Sequence, residues 1–302
     1  MSVLTCIGNT PLVALTSFPL NPNIRLMGKY EGCNPGGSIK DRTALFMVQG
    51  AEEKGLLTHD KVILEPTSGN TGISLAMIGA AKGYKVKLLM PECVSTERQH
   101  ILEAFGAEVI LTHAAQGTDG AIREALKIIE QNPDTYFMPN QFTNEDNILA
   151  HYMATAPEIF AQTKGEVDFI VAGMGTTGTL MGISRYCREH RPDVRIIGVE
   201  PPPGHTIQGL KNMDEAIVPS IYDPLMLHDK ITVDDGMAYE VTRQLVTKEG
   251  VFVGMSSGAA VAGALRIAEK ITTGTVIVIL PDRGDRYLST TLFRSVCAKC
   301  PP

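Results

Sequence analysis

The chain contains no tryptophan and only six cysteines in 302 residues. Cysteines that sparse make no disulfide framework, so a reducing compartment is the expected setting. Apolar runs are short as well. The longest, Ile73 to Ala81, contains Gly79 and stops at Lys82, well below the ~20 apolar residues that a membrane-spanning helix needs. Met1-Ser2-Val3-Leu4-Thr5 carries neither a basic segment nor an apolar signal core; with the preceding absences, this leads us to expect a cytoplasmic protein. An excess of positive charge is missing too: 27 Lys and Arg stand against 33 Asp and Glu, a net −6. That balance lacks the basic footprint of a nucleic-acid binder. The seven histidines show no metal-ligand spacing, and His113, His151, His190 and His228 are read as structural or surface residues. One C-x-x-C, at Cys297 and Cys300, lacks the second ligand pair of a zinc site, so no metal is expected.

What the chain has in quantity is glycine, 29 residues without low-complexity runs, as where tight turns bring backbone close to a ligand. Short β-rich runs alternate with helical patterns. Strands are expected at Val62–Glu65, Lys85–Met90, Glu108–Leu111, Phe169–Ala172, Arg195–Val199 and Val276–Leu280. Helices are expected at Ile73–Lys82, about Ser95–Phe105, and Ala121–Glu130. Strands so apolar are buried on both faces, which means parallel sheet covered by helices. The fold class is therefore α/β with two sheets, and the helical segment Asn147–Gln162 is the expected crossover between two lobes.

Asn34-Pro35-Gly36-Gly37-Ser38-Ile39-Lys40-Asp41-Arg42 combines a turn with the Ser38/Asp41 spacing of a capping box. Lys40 then falls in the first turn of a helix, where the dipole disfavours an ammonium. A lysine with a lowered pKa can form a Schiff base, although a capped surface helix explains this stretch alone equally well. Thr67-Ser68-Gly69-Asn70-Thr71-Gly72 follows a strand and opens a helix, pointing free N–H groups and hydroxyls at one spot. That suits a carboxylate or phosphate; an ordinary capped turn reads the same way. Gly173-Met174-Gly175-Thr176-Thr177-Gly178-Thr179 matches G-x-G-x-x-G, and Glu200 ends the next strand. A dinucleotide site is thus formally available, but the threonines favour a cradle for a phosphate monoester. Gly254-Met255-Ser256-Ser257-Gly258 is the third such junction, after a strand expected at Val251-Phe252-Val253, and reads by itself as a helix start with close packing.

Taken together and in this order, the four motifs resemble the cysteine synthase (O-acetylserine sulfhydrylase) family of pyridoxal-phosphate enzymes. The resemblance runs from Ile7-Gly8-Asn9-Thr10-Pro11-Leu12 to Arg286-Tyr287-Leu288-Ser289-Thr290. The double threonine after Gly175 and Asp282-Arg283-Gly284-Asp285-Arg286 are similar to the family's type B branch. The resemblance implies a two-lobed fold type II architecture, each lobe a mostly parallel twisted sheet flanked by helices. Residues 36–145 would form the smaller, mobile lobe; residues 1–35 and 146–302 would form the larger one, with no regulatory extension. Lys40 would carry pyridoxal 5′-phosphate as a Schiff base and take up the substrate α-proton. Asn70 would meet the ring hydroxyl, Gly175, Thr176, Thr177, Gly178 and Thr179 would hold the phosphate, and Ser256 would face the pyridine nitrogen. Thr67, Ser68, Gly69, Thr71 and Gln141 would hold the amino acid's α-carboxylate.

The implied reaction is a β-replacement: O-acetylserine, or O-phosphoserine, loses its β-substituent, and sulfide or thiosulfate adds. A neutral Ser256 leaves the ring a weaker electron sink than an aspartate would, which favours elimination of a good leaving group. Lys211 is the candidate cation for a bulky anionic sulfur donor, against the simpler reading of a surface lysine. A homodimer is implied, and a serine acetyltransferase complex is less expected for type B. Cystathionine-forming or serine-dehydrating relatives remain the nearer alternatives and an NAD-dependent oxidoreductase the more distant one. A non-catalytic relative would lack Lys40 or Ser256, and both are present.

Overall fold

The computed structural model describes residues 2–67, 69–92, 96–215 and 217–293. The readings at Ser68, Ser95, Cys297 and Cys300 lie outside the described residues.

Chain order runs β1 (Leu12–Ala14), β2 (Ile24–Tyr30), α1 (Lys40–Glu53), β3 (Val62–Pro66), α2 (Asn70–Lys82), β4 (Lys85–Pro91), α3 (Thr96–Ala104), β5 (Glu108–Thr112), α4 (Gly117–Gln131) and β6 (Tyr136–Phe137). It continues with α5 (Glu145–Ala150), a π-helical turn (His151–Thr155), α6 (Ala156–Thr163), β7 (Phe169–Gly173), α7 (Gly178–His190) and β8 (Arg195–Glu200). β9 (Asp229–Thr232), α8 (Asp235–Glu249), α9 (Met255–Ala268) and β10 (Gly274–Leu280) complete it. The smaller sheet, β5-β4-β3-β6, is parallel throughout; the larger, β1-β2-β10-β7-β8-β9, is parallel except where β1 meets β2. The expected α/β class with two helix-flanked sheets is observed.

Alternation along the strands shows why. In β10, Val276, Val278 and Leu280 enter one core while Ile277 and Ile279 enter the core on the opposite face. In the smaller sheet, Ile63 and Leu64, like Leu88 and Leu89, divide between two cores in the same way. The strand–helix junctions after β3 and β7 lie at the carboxyl ends of interior strands, where ligands bind in open α/β folds.

Several expectations needed correction. Residues 251–253 are not a strand: Val253 forms an isolated bridge with Arg283. β5 is not buried on both faces, because it lies at a sheet edge and Leu111 is exposed. β1, β2, β6, β9 and α8 went unrecognised. The expected crossover helix is a continuous helical run, α5 to α6, widened by the π-turn at His151–Thr155; such turns mark functional sites more often than chance. Among the described residues, no helix is long and apolar enough to cross a membrane. No group of three or more His, Cys, Asp or Glu among them could hold a metal.

Candidate active site

Lys40 is the first residue of α1, as expected. The turn before it is held from several directions. Ser38 Oγ accepts the Lys40 N–H at 3.2 Å, and the Asp41 carboxylate reaches back to the Gly36 N–H at 2.6 Å. This differs from the expected capping box, because Asp41 serves Gly36 instead of Ser38. Arg286, from the far end of the chain, donates to the carbonyls of Gly36 and Gly37. Gly36 has to be glycine, since a Cβ there would lie 2.3 Å from Asp41 Oδ1, and Gly37 adopts φ +80°. Burial lowers the Lys40 amine from 10.5 to about 8, against the attraction of Asp282 and Glu31, which raises it.

Lys40 opens into a cleft of about 630 Å³ lined also by Thr67, Gly69, Asn70, Thr71, Gln141 and Ser256. Beneath it lies a smaller cavity of about 50 Å³ shared by Lys40, Gly175, Thr176, Thr177, Thr179 and Ser256. Apart from Gly178, which packs against Asn147, the sequence-predicted residues within the described chain thus converge on one place, from both sheets.

In the 67–71 loop, Thr67 and Thr71 are buried. Thr71 Oγ1 donates to Gln141 Oε1 at 2.6 Å, so the two stretches 70 residues apart meet directly. Asn70 donates its Nδ2 to Asp282 Oδ2 at 2.7 Å, whereas its Oδ1 is buried without a hydrogen-bond partner among the described residues. A hydroxyl-bearing ring above Lys40 would satisfy that oxygen.

The glycine-rich loop between β7 and α7 is tightly built. Thr177 sits at the N-cap of α7 with φ +68°, a conformation that non-glycine residues hold only under constraint. A Cβ on Gly175 would lie 2.5 Å from the Gly209 carbonyl, and one on Gly178 would lie 2.2 Å from Asn147 Oδ1. Those glycines, the threonine hydroxyls and the N-terminus of α7 fit a phosphate monoester. Glu200 is not free for a ribose: it pairs with Lys230 at 2.6 Å and accepts the Met213 N–H at 3.3 Å. The dinucleotide alternative loses its acidic partner.

The third loop divides between its two readings. Gly258 serves helix packing, since a Cβ there would lie 2.1 Å from the Ala238 carbonyl of α8. Ser256, in the first turn of α9, is buried and lines both cavities. Lys211 is no plain surface lysine either. It lines the cleft with its ammonium 4.8 Å from the centre of the Phe142 ring, and burial lowers its pKa against the attraction of Asp119.

Several residues escaped sequence reasoning. Asp282, read only as a branch marker, is fully buried and accepts both Asn70 Nδ2 and Tyr287 OH, the latter at 2.6 Å. Asn147 accepts from Thr43 Oγ1 at 3.1 Å and donates to the Gln141 carbonyl at 2.8 Å and to Thr176 Oγ1 at 3.1 Å. His151, read as structural or surface, is buried behind the cradle, with Nε2 3.2 Å from Thr43 Oγ1 and 3.3 Å from Thr179 Oγ1. Burial and the positive charges of Lys40 and Arg42 hold His151 well below its ordinary pKa. Asn147 and His151 share one sequence signal, polar side chains in the expected helical segment 147–162, whereas Asp282, just past β10, lies in no helix.

Comparison with known proteins agrees with this geometry. A family model described as pyridoxal-phosphate dependent enzyme matches residues 3–282. Cysteine synthase B of Salmonella typhimurium is 45% identical over 287 residues, covering 95% of this chain and 94% of that protein. The crystal structure of a cysteine synthase from Entamoeba histolytica superposes with a TM-score of 0.91 at 41% identity, covering 96% of this chain and 90% of that one. That of an O-acetylserine dependent cystathionine beta-synthase from Helicobacter pylori gives 0.92 at 37% identity, covering 97% and 99%. With a lysine at a helix start facing a phosphate cradle, and with identity at this level over nearly its whole length, the chain belongs to the pyridoxal-phosphate dependent enzyme family, in its cysteine synthase branch.

Proposed function

We propose that the chain makes L-cysteine from O-acetyl-L-serine and sulfide by β-replacement. The observation that carries this reading is the single cleft in which Lys40, the Thr67–Thr71 loop, Gln141 and Ser256 meet above the Gly175–Thr179 cradle. Bound pyridoxal phosphate supplies an electrophilic carbonyl for amines and a ring that withdraws charge from the substrate Cα. Gly175, Thr176, Thr177, Gly178 and Thr179 would hold its phosphate, Asn70 its ring hydroxyl and Ser256 its nitrogen. Thr67, Ser68, Gly69, Thr71 and Gln141 take the substrate carboxylate, which orients the Cα–H towards Lys40. With a pKa of about 8, the Lys40 amine can both take that proton and return it near neutral pH. Ser256 offers a neutral hydroxyl in place of an acid, which would make a bound ring a weaker sink for charge and would favour substrates whose β-substituent leaves readily.

Residues 36–145 act in this reading as the smaller lobe that closes when carboxylate binds and keeps water from the reacting carbons; residues 1–35 and 146–302 form the larger lobe. The working unit is a cytoplasmic homodimer, and a serine acetyltransferase complex is less expected. Lys211 faces the anionic group of the sulfur donor or of the leaving group, which brings thiosulfate and O-phosphoserine within the substrate range.

The holoenzyme supplied with O-acetylserine and sulfide is expected to release L-cysteine, and Lys40→Ala to lose roughly 10²–10⁴-fold in rate, the span of one positioned proton-transfer group. Normal turnover by Lys40→Ala overturns the assignment. Offering sulfide, thiosulfate and L-homocysteine in parallel separates cysteine formation from cystathionine formation by product.

A further inference from the structure

Glu65 ends the apolar part of β3 and is fully buried, one residue before Pro66-Thr67 and the substrate loop. Removing a carboxylate from water is costly, and an aliphatic residue would end the strand without that cost. What the carboxylate holds is a turn in another part of the chain. Its Oε2 accepts the Asn140 N–H at 2.8 Å and its Oε1 accepts the Gln141 N–H at 3.2 Å. Asn140 stands at φ +51°, a left-handed conformation that presents both N–H groups to one side. Beyond this turn, the Gln141 side chain accepts from Thr71 at 2.6 Å, and its carbonyl accepts from Asn147 at 2.8 Å. The Glu65 carboxylate therefore reaches the cleft through Gln141, which lines it. Burial pushes the Glu65 carboxyl up to about 7, opposed by the two N–H bonds that favour the ionised form.

We propose that Glu65 is a positioning residue: its ionised carboxylate fixes the Asn140–Gln141 turn and thereby sets the affinity of the cleft for an amino acid's α-carboxylate. The inference rests on the reading that this cleft takes an amino-acid substrate. Neutral Gln at position 65 keeps one acceptor for Asn140 but turns an N–H₂ towards the Gln141 N–H, so the second bond is lost.

The test uses holoenzyme at pH 8, where wild-type Glu65 is ionised. L-Alanine serves as the equilibrium probe, because it presents the α-carboxylate but has no β-substituent to lose; its binding is read from the visible cofactor band. Glu65→Gln is expected to weaken L-alanine binding, and to raise KM for O-acetylserine, about tenfold, the effect of losing one hydrogen bond to a charged group. kcat should change far less. In a Gln141→Ala background, Glu65→Gln should add little, because its effect passes through that side chain. Glu65→Asp keeps the charge but withdraws it by one methylene; it should weaken L-alanine binding several-fold, and it carries the test if the Gln variant gives no folded holoenzyme. Wild-type affinity for L-alanine in Glu65→Gln, or in Glu65→Asp where only that variant folds, overturns the proposal, as does full additivity with Gln141→Ala. Wild-type enzyme that binds L-alanine yet forms no L-cysteine would overturn the functional reading while leaving this inference testable.

Discussion

Lys40 illustrates how one residue's position fixes its chemistry. The amine is buried at the positive end of α1, which lowers its proton affinity, while Asp282 across the cleft raises it again. The neutral amine is the form that attacks a carbonyl. Cofactor uptake by the apoprotein should therefore speed up with pH, about tenfold per pH unit below a midpoint near 8, and level off above it. Following the visible band after mixing apoprotein with excess pyridoxal phosphate, from pH 6.5 to 9.5, measures this; a midpoint near an ordinary lysine's value would refute it. Asp282→Asn removes a charge that favours the ammonium, so its midpoint should fall below the wild-type one. A rise would show that Asp282 acts on Lys40 otherwise than by charge. The motif around Lys40 was legible because its residues are contiguous. Asp282 was not: its partner Asn70 lies 212 positions away, and no local pattern encodes that pairing.

At the scale of elements, the glycines at helix ends differ in kind, and substitution should separate them. At the N-terminus of α7, Gly178 leaves room for Asn147 Oδ1, so Gly178→Ala must displace either the loop or Asn147. Pyridoxal phosphate binding by equilibrium dialysis should weaken at least tenfold, roughly the loss of one good hydrogen bond in the cradle. Gly83 ends α2 at φ +80° with open space around its Cβ position. Gly83→Ala should lower stability by about 1 kcal/mol in urea unfolding and leave cofactor affinity unchanged. Equal effects of the two variants on cofactor binding would contradict this division. β3, β4, β7, β8 and β10 were readable because both of their faces are apolar. β2 was hidden: Arg25 is exposed, Gly28 makes way for the Leu280 side chain, and Lys29 is a buried lysine that reads as polar. The 251–253 run was misread for the opposite reason. Val251 and Val253 pack into the core beside α9, and the backbone of the run makes a single bridge, Val253 to Arg283, with no ladder beside it.

Across the whole molecule, the lysine helix packs with the smaller sheet's core, yet is anchored to the larger body by charge. Arg42, two residues after Lys40, is buried and held bidentately by Glu158 of α6, at 2.6 and 2.7 Å, and by Glu31 after β2, at 2.7 Å. Lys29 of β2 reaches the same Glu158 at 2.7 Å, and the Asn9 N–H donates to it at 2.9 Å. The N-terminal loop, β2, α1 and α6 thus meet on one carboxylate. Desolvation raises the Glu158 pKa, but the hydrogen bonds and charges of Arg42 and Lys29 outweigh it and hold the carboxyl at about 2, below its ordinary 4.5. A depressed folded-state pKa gives stability that is present above the unfolded value and lost as pH falls through the folded one. Glu158→Gln should therefore cost on the order of 3 kcal/mol at pH 7, as when one partner of a buried ion pair is removed. The gap from wild type should shrink as pH falls from 4.5 towards about 2. Urea unfolding of both proteins at pH 7, 4 and 3 reads the gap directly, and a gap that does not narrow with acid would mean that Glu158 contributes by packing, not by charge.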